Sequence, residues 1–347
     1  MRKKLISLIG IMLILTIAAT AIIQLSDKQQ GTEMEGKDKL QIMTTFYPIY
    51  MIVLNIADGI DEIEINNLTE MNTGCLHDYQ LTTEDMKNIS KADLLIINGG
   101  GMEGFLQDVS ENDPDLNIID TSDGITMLHS EGEEEAHIAQ NDNISAKDQE
   151  GHGPEDHNHG EWNAHVWLDP ELYIKQIENV REGMIAYIES NQANDTALIQ
   201  AIKYNAQIYI EKVSKLNNDI LEYAKNYTIE QTDQGVYSNQ VVIFHDSFAY
   251  LAKRIGMNVA HAVPLDSDTS LSAGEIAEIV EEVKRDNIHY LFTEEQFSDS
   301  IAKQIEAETD AKMYIINSAV TGDGSKDSYI KAMEANLTIL KEAMMKE

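Results

Sequence analysis

Two α/β lobes, each a mainly parallel sheet flanked by helices, joined by one long helix, are the architecture this sequence predicts. Three observations carry that reading. Short apolar runs recur in two sets of four. Amphipathic stretches with helical spacing lie between most of them, the pattern of parallel sheets covered by helices. Between the two sets, Thr196 to Tyr227 contains neither Gly nor Pro and reads as one continuous helix.

The first set of expected strands is Gln41–Thr45, Glu62–Asn66, Leu94–Asn98 and Asn117–Ile119. The second is Gln240–Phe244, Asn258–Ala262, His289–Thr293 and Lys312–Ile316. Leu271 to Asp286 is expected to be helical, with Ile276, Ile279, Val280 and Val283 on one face and Thr269 or Ser270 as cap. Asp169-Pro170 reads as a cap followed by proline in the first turn of a helix. An Asn/Asp-rich break falls near Asn191–Asp195. The expected organisation is therefore 40–190 for the N-terminal lobe, 191–228 for the linking helix and 229–347 for the C-terminal lobe.

The chain of 347 residues is hydrophobic enough, at 43%, to build real cores. Its formal charge of −35 repels phosphate backbones, which argues against nucleic acid and suits a surface that meets cations. One cysteine excludes an intramolecular disulfide and a Cys-rich zinc ribbon. Arg2, Lys3 and Lys4 precede an apolar run from Leu5 to Ile23, with Ala19-Thr20-Ala21 as a small-residue cleavage site. Residues 1–25 thus read as an export signal, or as an uncleaved membrane anchor, and 26–39 as a polar tether. No cysteine follows the apolar run, so a cysteine-linked lipid there is not expected.

Residues His129 to Trp162 contain ten acidic residues and five histidines, with almost no large apolar side chains. This segment reads as a mobile acidic, histidine-rich loop within the N-terminal lobe. His152, His157 and His159, with neighbouring carboxylates, suit weak metal contact.

Three other histidines sit in more specific surroundings. His77 lies in Thr73-Gly74-Cys75-Leu76-His77-Asp78-Tyr79, downstream of the Glu62–Asn66 strand. His165 lies in His165-Val166-Trp167-Leu168-Asp169-Pro170, just before a helix start. His245 lies in Ile243-Phe244-His245-Asp246-Ser247-Phe248, at the end of an apolar strand. Ligands of open α/β sheets bind beyond the carboxyl ends of strands, and His77 and His245 come from different lobes. Together they point to a metal site in a cleft between lobes. Three imidazoles and one further ligand suit tetrahedral zinc better than Cu(I), calcium or magnesium. His261 and His289 fall in strand-like runs and read as structural.

From about Leu40 to Glu347 the chain resembles the extracytoplasmic metal-binding proteins of ABC-type zinc and manganese uptake systems, the zinc branch in particular. The resemblance rests on the ordered series Thr44-Thr45-Phe46-Tyr47-Pro48, His77-Asp78-Tyr79, Ser90-Lys91-Ala92-Asp93-Leu94 through Asn98-Gly99, His165-Val166-Trp167-Leu168-Asp169-Pro170, Phe244-His245-Asp246-Ser247-Phe248, and Phe292-Thr293-Glu294-Glu295-Gln296-Phe297. It implies two α/β lobes joined by a rigid long helix, with metal held between them by His77, His165 and His245. Manganese-binding relatives usually place a carboxylate at the third position, so His245 favours zinc over manganese.

The sequence departs from that pattern twice. Asn317 stands where the family commonly supplies an aspartate, and Cys75 where zinc-binding members often carry glutamate two residues before the first histidine. The fourth ligand is left open between Cys75, Glu294, Asn317, a water and a loop histidine. Asp78, Asp169 and Asp246 are candidates to orient ligating imidazoles, with Asp169 better placed as a helix cap.

The resemblance implies a monomeric capture protein that hands zinc to an ABC permease membrane subunit with its cytoplasmic ATPase, and performs no chemistry. The rival from another class is a secreted zinc hydrolase, since three histidines and an open position also make a catalytic site. No His-Glu-x-x-His or Gly-x-Ser-x-Gly run supports it. A metal reservoir or adhesin without a permease is the third reading.

Overall fold

The computed structural model of the chain describes residues 39–76, 79–130, 162–191, 195–233, 240–263, 272–295 and 300–344. Residues 1–38, His77, Asp78 and the 131–161 segment with His152, His157 and His159 lie outside the described residues, as do Thr269 and Ser270. No helix among the described residues is long and apolar enough to cross a membrane.

Residues Leu40–Glu347 form one compact unit built on two four-stranded sheets. The first joins β1 (Leu40–Thr44), β2 (Ile63–Asn67), β3 (Leu94–Ile97) and β4 (Asn117–Asp120) in the order β2-β1-β3-β4, with every pairing parallel. A two-stranded antiparallel ladder follows, β5 (Leu128–His129) on β6 (Trp162–Asn163). The second sheet joins β7 (Gln240–Phe244), β8 (Asn258–Val263), β9 (Tyr290–Glu294) and β10 (Lys312–Ile316) in the order β10-β9-β7-β8, again wholly parallel. Counted from its own first strand, each sheet has the order 2-1-3-4. Each therefore reverses direction between its first and third strands, where α/β sheets open a crevice for ligands.

All eight expected sheet strands form, with ends shifted by a residue or so. The central ones, such as Leu94–Ile97 and Val241–Phe244, are buried along their whole length, because helices cover both faces. Those helices are α1 (Tyr47–Ile56), α2 (Thr83–Ile89), α3 (Leu106–Asn112) and α4 (Pro170–Asn191), then α5 (Thr196–Asp233), α6 (Ala249–Ile255), α7 (Ala273–Arg285), α8 (Ser300–Glu308) and α9 (Ser328–Met344).

Two expected helix starts can be compared with the structure. Asp169 accepts a hydrogen bond from the Glu171 backbone at 2.8 Å and so caps α4, with Pro170 in its first turn. The cap of α7 is Ser272, not Thr269 or Ser270. Ser272 accepts from the Glu275 backbone while the Glu275 side chain accepts from the Ser272 backbone. This reciprocal pair satisfies two otherwise orphaned amides, which is why the helix begins two residues later than the apolar pattern suggests.

The long linking helix α5 has 38 residues and is about 57 Å long at 1.5 Å per residue. It starts where Asp195 accepts from the Leu198 backbone and runs beyond the expected 228. Ile202, Ala206, Tyr209, Val213, Leu216 and Ile220 recur every three or four residues and are buried. Helix α5 packs against α1, α4, α6 and α9. One hydrophobic cluster consequently contains strand residues of both sheets.

The C-terminal segment crosses back to the first lobe. Trp167 Nε1 donates to the Ser318 carbonyl at 2.8 Å, Tyr329 donates to the Trp167 carbonyl at 2.8 Å, and Asn55 donates to the Lys326 carbonyl at 2.8 Å.

Candidate metal centre

The site assembles where the carboxyl ends of the two sheets face each other. His245 follows β7 directly, and Glu294 ends β9, the neighbouring strand across the crevice of the second sheet. His165 comes from the first lobe, in the short segment between β6 and a 3-10 turn (Val166–Leu168) that leads into α4. Cys75 lies on the loop between β2 and α2, one residue after Gly74, whose φ of 88° places it in the left-handed region.

Cys75, His165 and His245 offer ligand atoms that all lie within 4.8 Å of one another. The Cys75 Sγ is 3.2 Å from His165 Nε2. The two imidazole rings meet edge to face, with centroids 4.7 Å apart. His165 is wholly buried and His245 is 6% exposed.

Each ring is held from behind. Asn163 Nδ2 donates to the Asp246 carbonyl at 2.8 Å, which turns Asn163 Oδ1 toward His165 Nδ1, 2.9 Å away. Asp246 Oδ1 lies 3.3 Å from the same nitrogen. Both partners are acceptors, so Nδ1 carries the proton and Nε2 presents its lone pair. His245 repeats the arrangement, with Nδ1 3.0 Å from Glu294 Oε1. Ser247 donates to the same carboxylate oxygen. Burial alone would push the Glu294 carboxyl up; hydrogen bonds from His245, Ser247 and Ser318 outweigh it and hold it below the usual range.

His245 adopts a φ of 87°, sparsely populated for any residue with a Cβ. Such a conformation costs about 1–3 kcal/mol. It persists because the His245 backbone donates to the Val263 carbonyl at 2.9 Å while the ring is fixed by Glu294. Strained backbone of this kind concentrates at functional sites.

The other candidates fall elsewhere. Glu294 stands behind His245, held by its ring and by Ser247. The Asn317 side chain accepts from the Ala319 backbone at 2.8 Å, and its backbone is bracketed by Asn336; it serves the turn after β10. His261 pairs with Glu282 at 3.0 Å, between an edge strand and α7, and His289 contacts Asn287. Asp169 caps α4 and lies 3.6 Å from Arg254 of the second lobe.

Asn163 was not among the residues singled out from the sequence. Its one signal is a polar side chain two residues before a histidine. Tyr250 is the other, donating to the Asn163 carbonyl at 2.6 Å and accepting from the Leu128 backbone at 2.9 Å. It ties both strands of the β5–β6 ladder to the second lobe.

Residues 42–343 match the family described as zinc-uptake complex component A, periplasmic. The chain belongs to this family. The zinc-binding lipoprotein AdcA of Streptococcus pneumoniae is 28% identical over 326 residues, covering 91% of this chain and 58% of the relative. The chain thus spans a little over half the length of that relative. The Zn(II)-bound structure of AdcA from the same organism superposes with a TM-score of 0.66 at 25% identity, over 89% of this chain and 58% of that one. The Mn2+ complex of the binding protein FpvC from Pseudomonas aeruginosa shares the fold, with a TM-score of 0.68 at 20% identity over 88% and 98% of the two chains.

Proposed function

We propose that this chain is a high-affinity extracytoplasmic zinc-capture protein that delivers Zn2+ to an ABC-type permease powered by a cytoplasmic ATPase. Zinc is cargo here, and no bond in a substrate is made or broken. The observation that carries the reading is the buried pair of imidazoles, His165 from one lobe and His245 from the other. Asn163 with Asp246 and Glu294 hold their Nδ1 atoms, so that both Nε2 lone pairs serve one cation. His77 completes a three-histidine set in this reading.

Nitrogen-rich ligation favours zinc over manganese, which prefers oxygen donors. Because the ligands come from both lobes, a bound cation stabilises one arrangement of the lobes, and a permease that recognises that arrangement takes only loaded protein. The protein acts as an exported monomer, with residues 1–25 as signal or anchor and the 129–162 loop gathering zinc weakly. A zinc hydrolase is the weaker reading: Glu294, a carboxylate considered as a general base, is engaged by His245 and Ser247.

The test is calorimetric titration of the metal-stripped chain with zinc and manganese. One tight zinc site, lost in His245→Ala, is expected. Manganese binding as tight as zinc, or tighter, overturns the assignment.

A further inference from the structure

We infer that Cys75 is the sulfur ligand of this site, and that it sets the cargo class as thiophilic divalent cations, zinc and cadmium, against manganese. The inference rests on the zinc-capture reading and extends it to the fourth position.

The geometry is that of ligands around a small cation. Zinc takes a thiolate at about 2.3 Å and an imidazole at about 2.0–2.1 Å, so tetrahedral neighbours of one ion lie about 3.5 Å apart. The Cys75 Sγ stands 3.2 Å from His165 Nε2, the nitrogen left to metal by the Asn163 hydrogen bond. His245 brings its own ligand atom within 4.8 Å of both. The rival oxygens are otherwise engaged: Glu294 behind His245, Asn317 in its turn. Behind Cys75, the Met102 thioether lies 4.0 Å away and is wholly buried, so the thiol is backed by an apolar, polarisable wall.

The chemical consequence is selectivity. Imidazole already favours zinc over manganese, and a thiolate strengthens binding of soft and borderline ions further while doing little for Mn2+. A thiolate from Cys75 at this position therefore widens the gap between zinc and manganese. It also admits cadmium as a competing cargo.

Cobalt loading of the metal-stripped full chain tests this. A tetrahedral Co2+ site with Cys75 bound must show an intense near-ultraviolet sulfur-to-cobalt charge-transfer band, absent in Cys75→Ser. Competition titrations with Zn2+, Cd2+ and Mn2+ give the second readout. Cys75→Ser should lose at least about tenfold in zinc affinity, the lower end of what losing even an outer partner costs, and more for cadmium, with Mn2+ little changed. Tight zinc binding by the wild-type chain without a charge-transfer band overturns the sulfur ligand and leaves the zinc-capture reading standing. Failure of the wild-type chain to bind zinc at all overturns both.

Discussion

Asn163 connects three parts of the site with one residue. Its Oδ1 holds the His165 ring, its Nδ2 holds the Asp246 backbone, and its carbonyl receives Tyr250. Asn163→Ala should lower zinc affinity about 10–100-fold, the usual cost of losing a partner that orients a ligating histidine. Calorimetry on the variant checks this, with circular dichroism showing an unchanged fold. Glu103 supplies the pH-dependent counterpart. It is buried beside the first sheet's crevice and accepts from Thr45 Oγ1 and the Asn98 backbone at 2.7 Å each, and from the Gly99 backbone at 3.0 Å. Burial pushes its carboxyl from 4.5 up to about 7 in spite of those donors. Between these two pH values the folded chain keeps a proton that the unfolded chain releases, so this contribution to stability falls as pH rises through the window. Relative to Glu103→Gln, the wild type should lose on the order of 2–3 kcal/mol of unfolding free energy between about pH 5 and about pH 8. Denaturant titrations at both values measure it.

Helix caps and the small β5–β6 ladder show how far local chemistry reaches. The Ser272–Glu275 capping box fixes the start of α7, whose Ile276, Val280 and Val283 cover one face of the second sheet. Ser272→Ala should cost about 1 kcal/mol, seen as a lower denaturant midpoint with an unchanged slope. Strand positions were readable because buried parallel strands are short apolar runs, and helices because their apolar residues recur every three or four positions. The β5–β6 ladder was not readable. Two-residue strands have no periodicity, and their pairing brings together Leu128 and Asn163, far apart in sequence. The same distance hid the role of Tyr250.

The two sheets share one core through α5 and through the returning C-terminal segment. Tyr173 illustrates it: its hydroxyl donates to the Pro48 carbonyl, it meets Tyr209 of α5, and it stacks on Tyr329 with centroids 3.8 Å apart. Despite its two sheets, the metal-free chain should unfold in a single cooperative transition. Calorimetry and far-ultraviolet circular dichroism should report the same midpoint. Two resolved transitions would show that the lobes fold independently and that α5 couples them only weakly.

Local patterning alone indicated the α/β class, the two sets of four strands and the long helix, while His77, His165 and His245 stood out as candidate ligands only as a set and through the family resemblance. The elements depend on nearest neighbours in sequence: periodicity and caps. The juxtaposition of Cys75, His165 and His245 depends instead on how two sheets with the same strand order face each other, and no local rule encodes that. Glu294 shows the difference most plainly. From the sequence it is an acid at a strand end, equally suited to bind metal or to act as a base. Parallel pairing of β7 with β9 sets it against the back of His245, where its carboxylate orients the imidazole.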